Sequence, residues 1–412
     1  MTVKNNIPAG YKDSAVGIIP QEWKVKRLGT IAKCFSGGTP KSESEEMYGG
    51  TIPFIRSGEI HSNKTALFLT DDGLRKSSAK MVDVGDLIFA LYGANSGDCA
   101  ISQINGAINQ AILCIRSSSV INSFLQPYLE LQKDRFIAKY LQGGQGNLSG
   151  EIVCSYTIPV PPMAEQRKIA EILGVWDEAI EKQSRLIEKL ELRKRALMQR
   201  LLTGRTRLPG FTTPWQKVKL GEIGNFDKGA GVPKEKIVPE GCKAITYGEI
   251  YTKYDYVIKD FASYIDSDTA QTSKQISTGA ILFAGSGETL EDIGKCVAFI
   301  DNDKAYAGGD IIIFNPTIEV DSLVLSYILN SPVAIAQKRR YGQGHSVVHI
   351  YQKDLARIEF ELPSLPEQKA IAEVLTTADK EIATHRKKLD ALRLQKRGLM
   401  QQLLTGKTRV KI

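Results

Sequence analysis

Apolar residues recur at alternating spacings of three and four in two long segments, one in the middle of the chain and one at its end. This spacing is typical of a coiled-coil seam, and charged residues are dense at the flanking positions. Each segment predicts a helix of about 38 residues, or about 57 Å at 1.5 Å per residue. The predicted seam residues are Ile169, Leu173, Trp176, Ile180, Ile187, Leu190, Leu197 and Leu201 in the first helix and Ile371, Leu375, Ile382, Leu389, Leu392, Leu399 and Leu403 in the second.

Four polar residues interrupt these stripes: Gln183 and Lys194 in the first helix, His385 and Lys396 in the second. At seam positions, polar side chains can fix the register of two helices at some cost in stability. The alternative is that these side chains fray or extend to the solvent. The sequence leaves both interpretations open.

The two helical segments are copies of each other. LMQRLLTGRTR at 197–207 returns as LMQQLLTGKTR at 399–409, and the similarity extends upstream to 165 and 367. Such an internal repeat predicts two equivalent structural units. One helix cannot bury its stripe alone, whereas two copies can bury each other's stripes. If the half-chain is the repeating unit, a pseudo-twofold arrangement makes the helices antiparallel.

Residues at the helix ends support these limits. Glu165 lies in the first turn of the first copy, where the helix dipole favours an anion. Ser364 and Glu367 fit a capping box at the start of the second copy. Gly204 and Gly406 stand where a glycine commonly ends a helix.

The two blocks outside the helices share a sparse skeleton of Trp, Gly and Pro positions, including Trp23 and Trp215. Short β-branched and aromatic runs predict strands at 52–56, 87–91, 110–115, 281–284 and 311–314, and the segments near 121–141 and 321–339 predict helices.

We therefore predict an α+β fold of two similar globular domains, with small mixed sheets and helices. Two long antiparallel coiled-coil helices separate these domains, with an internal pseudo-twofold. The predicted boundaries are 1–162 for the first domain, 163–205 for the first spacer helix, 206–364 for the second domain and 365–412 for the second spacer helix.

Composition narrows the class of protein only slightly. The 412 residues exceed one ordinary core, and 42% hydrophobic and 24% charged residues are normal for a globular chain. No apolar run is long enough to span a membrane, and the N-terminus lacks a secretory pattern, so we expect a cytoplasmic protein. The six cysteines contain no CxxC pair and predict reduced thiols. A net charge of +8 is compatible with a polyanionic partner.

No catalytic motif is complete. Gly406-Lys407-Thr408 lacks the earlier glycine of a phosphate-binding loop, because Gln401 stands there. His345 and His349 have the spacing of helical metal ligands, but the β-branched pair between them argues against a helix. Two large modules without visible catalysis favour recognition and predict no metal site.

Glycine-rich loops offer the best recognition surface, because glycine permits close backbone approach, while Asn and Gln can read adenine and Arg and Lys can reach guanine or phosphate. For any one of these residues the alternative is an ordinary turn or a solvated side chain. The candidate DNA-contacting residues are Gly38, Thr39, Lys41, Arg56, Tyr92, Asn95, Gln145 and Asn147 in the first block and Lys228, Lys234, Tyr247, Ser286, Gln343 and His345 in the second.

The duplicated segments resemble a known family. Both helix starts read Glu-Gln-x-x-Ile-Ala, from 165 and from 367, and both helix ends read Leu-Leu-Thr-Gly. With Tyr11-Lys12-Asp13-Ser14, Ile19-Pro20, Trp23 and Gly37-Gly38-Thr39-Pro40, these motifs are similar to those of the DNA-specificity subunits of type I restriction–modification systems, over essentially the whole chain. The second block departs from this pattern, because Gly-Ala-Gly-Val-Pro replaces Gly-Gly-Thr-Pro.

The resemblance implies two target-recognition domains, each reading half of a split site in double-stranded DNA, with the helices as the spacer. It also implies docking of two modification (methyltransferase) subunits, which carry the S-adenosylmethionine, and restriction subunits that join through them. The chain itself would bind no cofactor and would not be catalytic. The residues alone leave two alternatives: a coiled-coil scaffold whose modules bind proteins or sugars, and a stand-alone DNA enzyme.

Overall fold

The computed structural model describes residues 7–41, 43–93, 95–140, 148–344 and 347–412. The chain divides into two compact units: unit 1 comprises Met1–Ser184 and Lys387–Ile412, and unit 2 comprises Arg185–Arg386. The division falls within both long helices. Each unit therefore holds one globular block and one segment of each helix.

Unit 1 carries short strands and helices before its first long helix. The strands are β1 (Tyr11–Lys12), β2 (Ile19–Pro20), β3 (Lys24–Arg27), β4 (Ala32–Ser36), β5 (Tyr48–Ile55), β6 (Leu67–Leu69), β7 (Lys80–Val82), β8 (Leu87–Ala90), β9 (Cys99–Ile101), β10 (Gly106–Ile108), β11 (Ile112–Ser117) and β12 (Thr157–Val160). The helices are α1 (Leu28–Ile31), α2 (Asp71–Arg75), α3 (Asn122–Tyr140), α4 (Gly150–Ser155) and the start of α5 (Met163–Leu201), with 3-10 turns at Glu45–Met47 and Ser57–Glu59.

Two sheets form the body of unit 1. The first has the order β4–β11–β8–β9 and is antiparallel, and the second has the order β6–β5–β10–β7 with β5 and β10 parallel. Strand β8 is buried on both faces, as an uninterrupted apolar run predicts. Leu87 and Phe89 pack in one core with Phe124 of α3, and Ile88 packs in the other core with Ile108 of the second sheet.

Unit 2 repeats this pattern. Its strands are β13 (Gln216–Lys219), β14 (Gly224–Lys228), β15 (Ile237–Val238), β16 (Cys242–Ile245), β17 (Ser263–Ile265), β18 (Lys274–Ile276), β19 (Ile281–Ala284), β20 (Ser286–Gly287), β21 (Cys296–Ala298), β22 (Ala305–Ala307), β23 (Ile311–Pro316), β24 (Val348–His349) and β25 (Glu359–Leu362). Its helices are α6 (Tyr247–Thr252), α7 (Ser267–Thr272), α8 (Ser322–Leu329), α9 (Pro332–Tyr341), α10 (Gln352–Leu355) and the start of α11 (Leu365–Leu403), with 3-10 turns at Leu220–Glu222 and Lys234–Lys236.

The two main sheets of unit 2 repeat the strand orders of the two main sheets of unit 1, with one added edge strand. The order β14–β23–β19–β21 is antiparallel, and β15–β17–β16–β22–β18 again holds one parallel pair, β16 with β22. The strand β15 is an addition without a counterpart in the four-stranded sheet of unit 1. The shared skeleton in the sequence therefore reflects a shared sheet topology.

The helix predicted over 321–339 is wrong in one respect, because two helices, α8 and α9, occupy this stretch. Pro332 starts the second helix, and the residue before a proline is disfavoured in helical conformation. Ser331 is accordingly extended and caps α9, its hydroxyl accepting a hydrogen bond from the Ala334 amide at 3.4 Å.

The long helices α5 and α11 have 39 residues each. Within unit 1, Ile169 and Leu173 of α5 share a core with Met400 and Leu403 of α11. Within unit 2, Leu201 near the end of α5 shares a core with Ile371 near the start of α11. The helix segments are therefore antiparallel inside each unit, as the repeat predicted.

Candidate nucleic-acid interface

A buried glutamate ties the first turn of α5 to the globular block of unit 1. Glu165 is fully buried, and its carboxylate accepts hydrogen bonds from Trp23 Nε1 at 2.9 Å and from Arg409 Nε at 2.6 Å. Arg409 also binds Glu22 at 2.8 Å. The end of α11, the start of α5 and the N-terminal block thus converge on one carboxylate, which we call the helix-end clamp of unit 1.

Unit 2 contains the same clamp. Glu367 accepts hydrogen bonds from Trp215 Nε1 at 2.9 Å and from Arg207 at 2.6 and 2.7 Å. The predicted capping box is therefore wrong, because the Glu367 carboxylate binds these side chains instead of reaching back to Ser364. Glu367 binds Arg207 and Trp215 because a buried carboxylate needs a cation and a full set of hydrogen-bond donors.

The glutamine beside each glutamate caps a neighbouring segment. Gln166 accepts from the Ile121 amide at 3.0 Å and donates to the Ser119 and Pro161 carbonyls. Gln368 in unit 2 accepts from the Asp321 amide at 2.8 Å and donates to the Pro363 carbonyl at 2.8 Å. The repeated Glu-Gln pair is therefore architectural and holds the recognition block on its spacer helix.

The predicted seam residues lie on the inner stripe of the helices in each unit. Ile169, Leu173, Ile187, Leu190, Leu201, Ile371, Leu375, Ile382, Leu389 and Leu403 are buried, and Trp176, Ile180, Leu197, Leu392 and Leu399 are half-buried.

Both seam lysines are paired across the seam. Lys194 forms an ion pair with Asp379 in unit 2, and Lys396 forms one with Asp177 in unit 1. The Lys194 ammonium also lies 4.5 Å from the centroid of the Tyr256 ring. Burial and the neighbouring Asp379 raise the pKa of the Tyr327 hydroxyl, which donates to that carboxylate. These contacts of Lys194 support the interpretation that it fixes the register of the helices over the interpretation that it extends to the solvent.

Glycines of the glycine-rich loops allow the backbone to pack closely against neighbouring segments of the chain. A Cβ on Gly38 would stand 1.9 Å from Ser78 Oγ, and a Cβ on Gly229 would stand 2.0 Å from the Gly308 carbonyl oxygen. Gly38 is buried, so its missing side chain allows close packing inside unit 1, and its contact with DNA stays a prediction.

The other candidates of unit 1 fall into two local groups. Thr39 hydrogen-bonds Gln110, and Lys41 beyond it is exposed. Arg56 is exposed and pairs with Glu59 at 3.2 Å, while Asn95 donates to the carbonyl of Ser57, next to Arg56, at 3.2 Å.

Tyr92 is half-buried, and burial raises the pKa of its hydroxyl. It packs against the core that contains α3. Gln145, Asn147 and His345 lie outside the described residues, so these predictions stand as they were made.

Unit 2 places two candidates, Lys228 and Ser286, in one open cleft of about 680 Å³. The cleft brings them together with residues that the sequence analysis did not select, namely Gly285, Gly309, Asp310, Ile311, Ile312, His349, Ile350, Tyr351, Gln352 and Lys353. Gln343 lies beside it, because its backbone pairs with that of His349. Lys234 is exposed, and Tyr247 at the start of α6 is 42% exposed.

The sequence analysis missed His349 because it weighed this residue only as a metal ligand. The structure places it in strand β24, opposite Ser286 of β20. A pairing between residues 63 positions apart leaves no local pattern. Among the described residues no group of three or more His, Cys, Asp or Glu side chains could hold a metal ion.

Within the described part of the chain, no helix has the length and apolarity to cross a membrane. Two blocks of one topology, each clamped to long helices and each bearing different loops, define the class of a modular recognition protein.

Comparison with known proteins gives the family. The family model described as "Type I restriction modification DNA specificity domain" matches twice, at residues 20–192 and 212–394. The chain therefore belongs to the type I restriction–modification DNA-specificity subunits, which confirms the resemblance seen in the sequence. These subunits recognise DNA sequences and are not catalytic, since the partner enzymes are separate subunits.

Similar relatives cover nearly the whole chain. The type I restriction enzyme MjaVIII specificity subunit of Methanocaldococcus jannaschii is 24% identical and covers 95% of this chain and 94% of its own length. The putative MjaX specificity subunit of the same organism is 26% identical, with 97% of each chain covered.

Solved structures share the fold. The S subunit of a type I system from M. genitalium has a TM-score of 0.57 and is 16% identical, covering 93% of this chain and 96% of its own. A chain from a structure on complex assembly and conformational transition of the type I system has a TM-score of 0.60 and is 18% identical, covering 95% and 99%.

Proposed function

We propose that the chain reads a bipartite, asymmetric site in double-stranded DNA, with one half-site read by the block of each unit and an unread gap between them. The observation that carries this proposal is the pairing of a repeated frame with unrepeated loops. Apart from the added strand β15, the main sheets of both units have the same strand orders, and both units have the same Glu–Arg–Trp clamp. The loop residues at matching places differ: Arg56 after β5 corresponds to Thr246 after β16, and Tyr92 after β8 corresponds to Ser286 after β19.

A block exchange tests this division of labour. Residues 208–364 are replaced by the corresponding block of another family member, with both long helices kept. Methylation sequencing of genomic DNA from cells that also express the modification subunits should then show one changed half-site, one unchanged half-site and the same gap. A change in both half-sites, or in neither, would contradict the proposal.

We also propose that the helices dock two modification subunits, which hold the S-adenosylmethionine, and that restriction subunits join through them. The repeat supports two equal docking positions, because each unit presents both helices in the same antiparallel pairing. Native mass spectrometry of the co-expressed complex should give two modification subunits per specificity chain. A single modification subunit at saturation would contradict this stoichiometry.

A further inference from the structure

We infer that His349, held by Ser286 in the cleft of unit 2, reads the edge of one base in the half-site of that unit. This inference rests on the proposed function, since it requires unit 2 to contact its half-site through this cleft. His349 would be a specificity-determining residue of unit 2, and Nε2 would be the atom that contacts the base.

The backbone of His349 is fixed on both sides. Its amide donates to the Gln343 carbonyl at 2.8 Å, and its carbonyl accepts from the Gln343 amide at 2.9 Å. On the other side β24 pairs with β20, where Ser286 stands opposite His349. A backbone fixed in this way gives the imidazole a defined starting point, which base reading needs.

The ring is fixed as well. Ser286 Oγ is hydrogen-bonded to His349 Nδ1 at 3.0 Å, and Ser286 is 94% buried, so the serine side of this contact is shielded from solvent. In the described part of the chain no partner contacts Nε2, although His349 is exposed and lines the cleft. The hydrogen bond therefore leaves one ring nitrogen, in a fixed direction, for a ligand.

The other groups of the cleft favour a base edge over the phosphate backbone alone. Lys228 and Lys353 supply two cations, as phosphate contacts require. Asp310, however, is an exposed carboxylate of the same cleft and would repel a phosphate lodged there. A carboxylate or the amide of Gln352 can instead accept from the amino group of cytosine or adenine.

Both cations line the cleft that His349 lines. Tyr351 is 48% exposed, and the Lys353 ammonium lies 5.9 Å from its ring centroid. Such an arrangement holds the Lys353 side chain near the cleft without neutralising its charge. We assign His349 to base reading and Lys228 and Lys353 to sequence-independent attraction.

Two substitutions of His349 test whether its Nε2 atom contacts the base. In His349→Gln the side-chain amide can reach the position of Nε2, whereas in His349→Asn it reaches only that of Nδ1. The full specificity chain, assembled with modification subunits in cells, is analysed by methylation sequencing of genomic DNA. We expect His349→Asn to relax discrimination roughly tenfold at one base pair of the unit 2 half-site, while His349→Gln retains most of it.

Three comparisons make the result decisive. Ser286→Ala, which frees the ring, should relax the same base pair several-fold. Lys228→Gln and Lys353→Gln should weaken DNA binding by the purified complex at all sequences and each lower the salt dependence by about one. Lys217→Gln lies in the same unit outside the cleft and should leave base preference unchanged.

The inference is overturned if His349→Asn leaves the base preference unchanged at every position of the methylated site, or if it lowers methylation of all sequences equally. Because His349 is exposed, thermal melting of the variants should match that of the native chain. The block exchange separates a failure of the base-reading role of His349 from a failure of the proposed division into half-sites. If the exchange changes one half-site and His349→Asn changes nothing, the base-reading role fails and the division into half-sites stands.

Discussion

Glu165 is buried completely, yet it carries a full set of charged and polar partners. Trp23 and Arg409 both donate to its carboxylate, and these residues lie 142 and 244 positions away in the chain. A buried charge without such partners would cost several kcal/mol. The clamp therefore makes the fold of unit 1 depend on the end of the chain.

The first prediction concerns this carboxylate. Glu165→Ala should lower the free energy of unfolding of unit 1 by about 2–3 kcal/mol, because it leaves an indole N–H and a guanidinium without their acceptor. The value lies at the lower end of the range for buried pairs because the Arg409 side chain is 35% exposed. Denaturant titration measures the change, with exposed Glu171→Ala in the same helix as control. A loss below 0.5 kcal/mol would show that the clamp is not structural.

A second residue gives unit 2 a pH dependence. Lys338 is buried, donates to the Gly294 carbonyl at 2.7 Å, and has its pKa lowered by burial to about 8 from 10.5. Cys296 lies near it, and burial raises the pKa of that thiol to about 11. Between pH 8 and 10.5 the unfolded lysine holds a proton that the folded one has lost, so the contribution of Lys338 to stability rises with pH in this window and is lower, and constant, below it. The raised pKa of Cys296 acts in the opposite direction above about pH 9.

The comparison of native protein with Lys338→Met isolates this effect. The difference in unfolding free energy should shift in favour of the native chain by up to about 1.4 kcal/mol per pH unit above pH 8. Thermal or denaturant unfolding between pH 7 and 10 measures it. A pH-independent difference would show that Lys338 keeps one charge state in both forms.

At the scale of elements, the seam combines apolar packing with one lysine–aspartate ion pair per unit, and the pair of unit 2 is the more buried of the two. The Lys194 side chain is 10% exposed and Asp379 is 23% exposed, so their attraction is only partly screened. Because Tyr327 of α8 also donates to Asp379, the pair joins both long helices to the globular block of unit 2.

A double-mutant cycle tests this junction. Lys194→Met and Asp379→Asn should each destabilise unit 2, and their combination should destabilise it less than the sum, with a coupling on the order of 1 kcal/mol. The exposed pair Lys182 and Glu178 of the same helix is the control and should show coupling near zero. Additive effects at Lys194 and Asp379 would show that the two side chains are not coupled and would contradict the role of Lys194 in fixing the register.

Local periodicity was enough to predict α5 and α11, α3, and strands such as β8 and β19. It failed where a single residue overrides the period, as Pro332 does between α8 and α9. It also failed for the candidate site. The pairings Ser286–His349 and Glu367–Arg207 join residues 63 and 160 positions apart. No local pattern encodes such contacts, although the repetition of Trp, Glu and Arg at matching places was a usable signal.

For the whole molecule, the repeat and the unit boundaries coincide. The units divide after Ser184 and after Arg386, which are 202 positions apart, the period of the repeat. Each unit contains its own clamp, its own lysine–aspartate pair at the seam and its own two main sheets. Extra helix at these two points would therefore leave the contacts inside each unit intact.

This gives the last prediction. Inserting one heptad after Ser184 and one after Arg386 keeps the seam in phase and adds about 10 Å to each helix. At 3.4 Å per base pair, the unread gap should lengthen by about three base pairs while both half-sites stay the same. Methylation sequencing of cells that carry the modification subunits reads both quantities. Three-residue insertions at the same points, which rotate the seam out of phase, should abolish methylation. Altered half-sites with an unchanged gap would refute the role of the helices as a spacer, because recognition would then depend on the helices themselves.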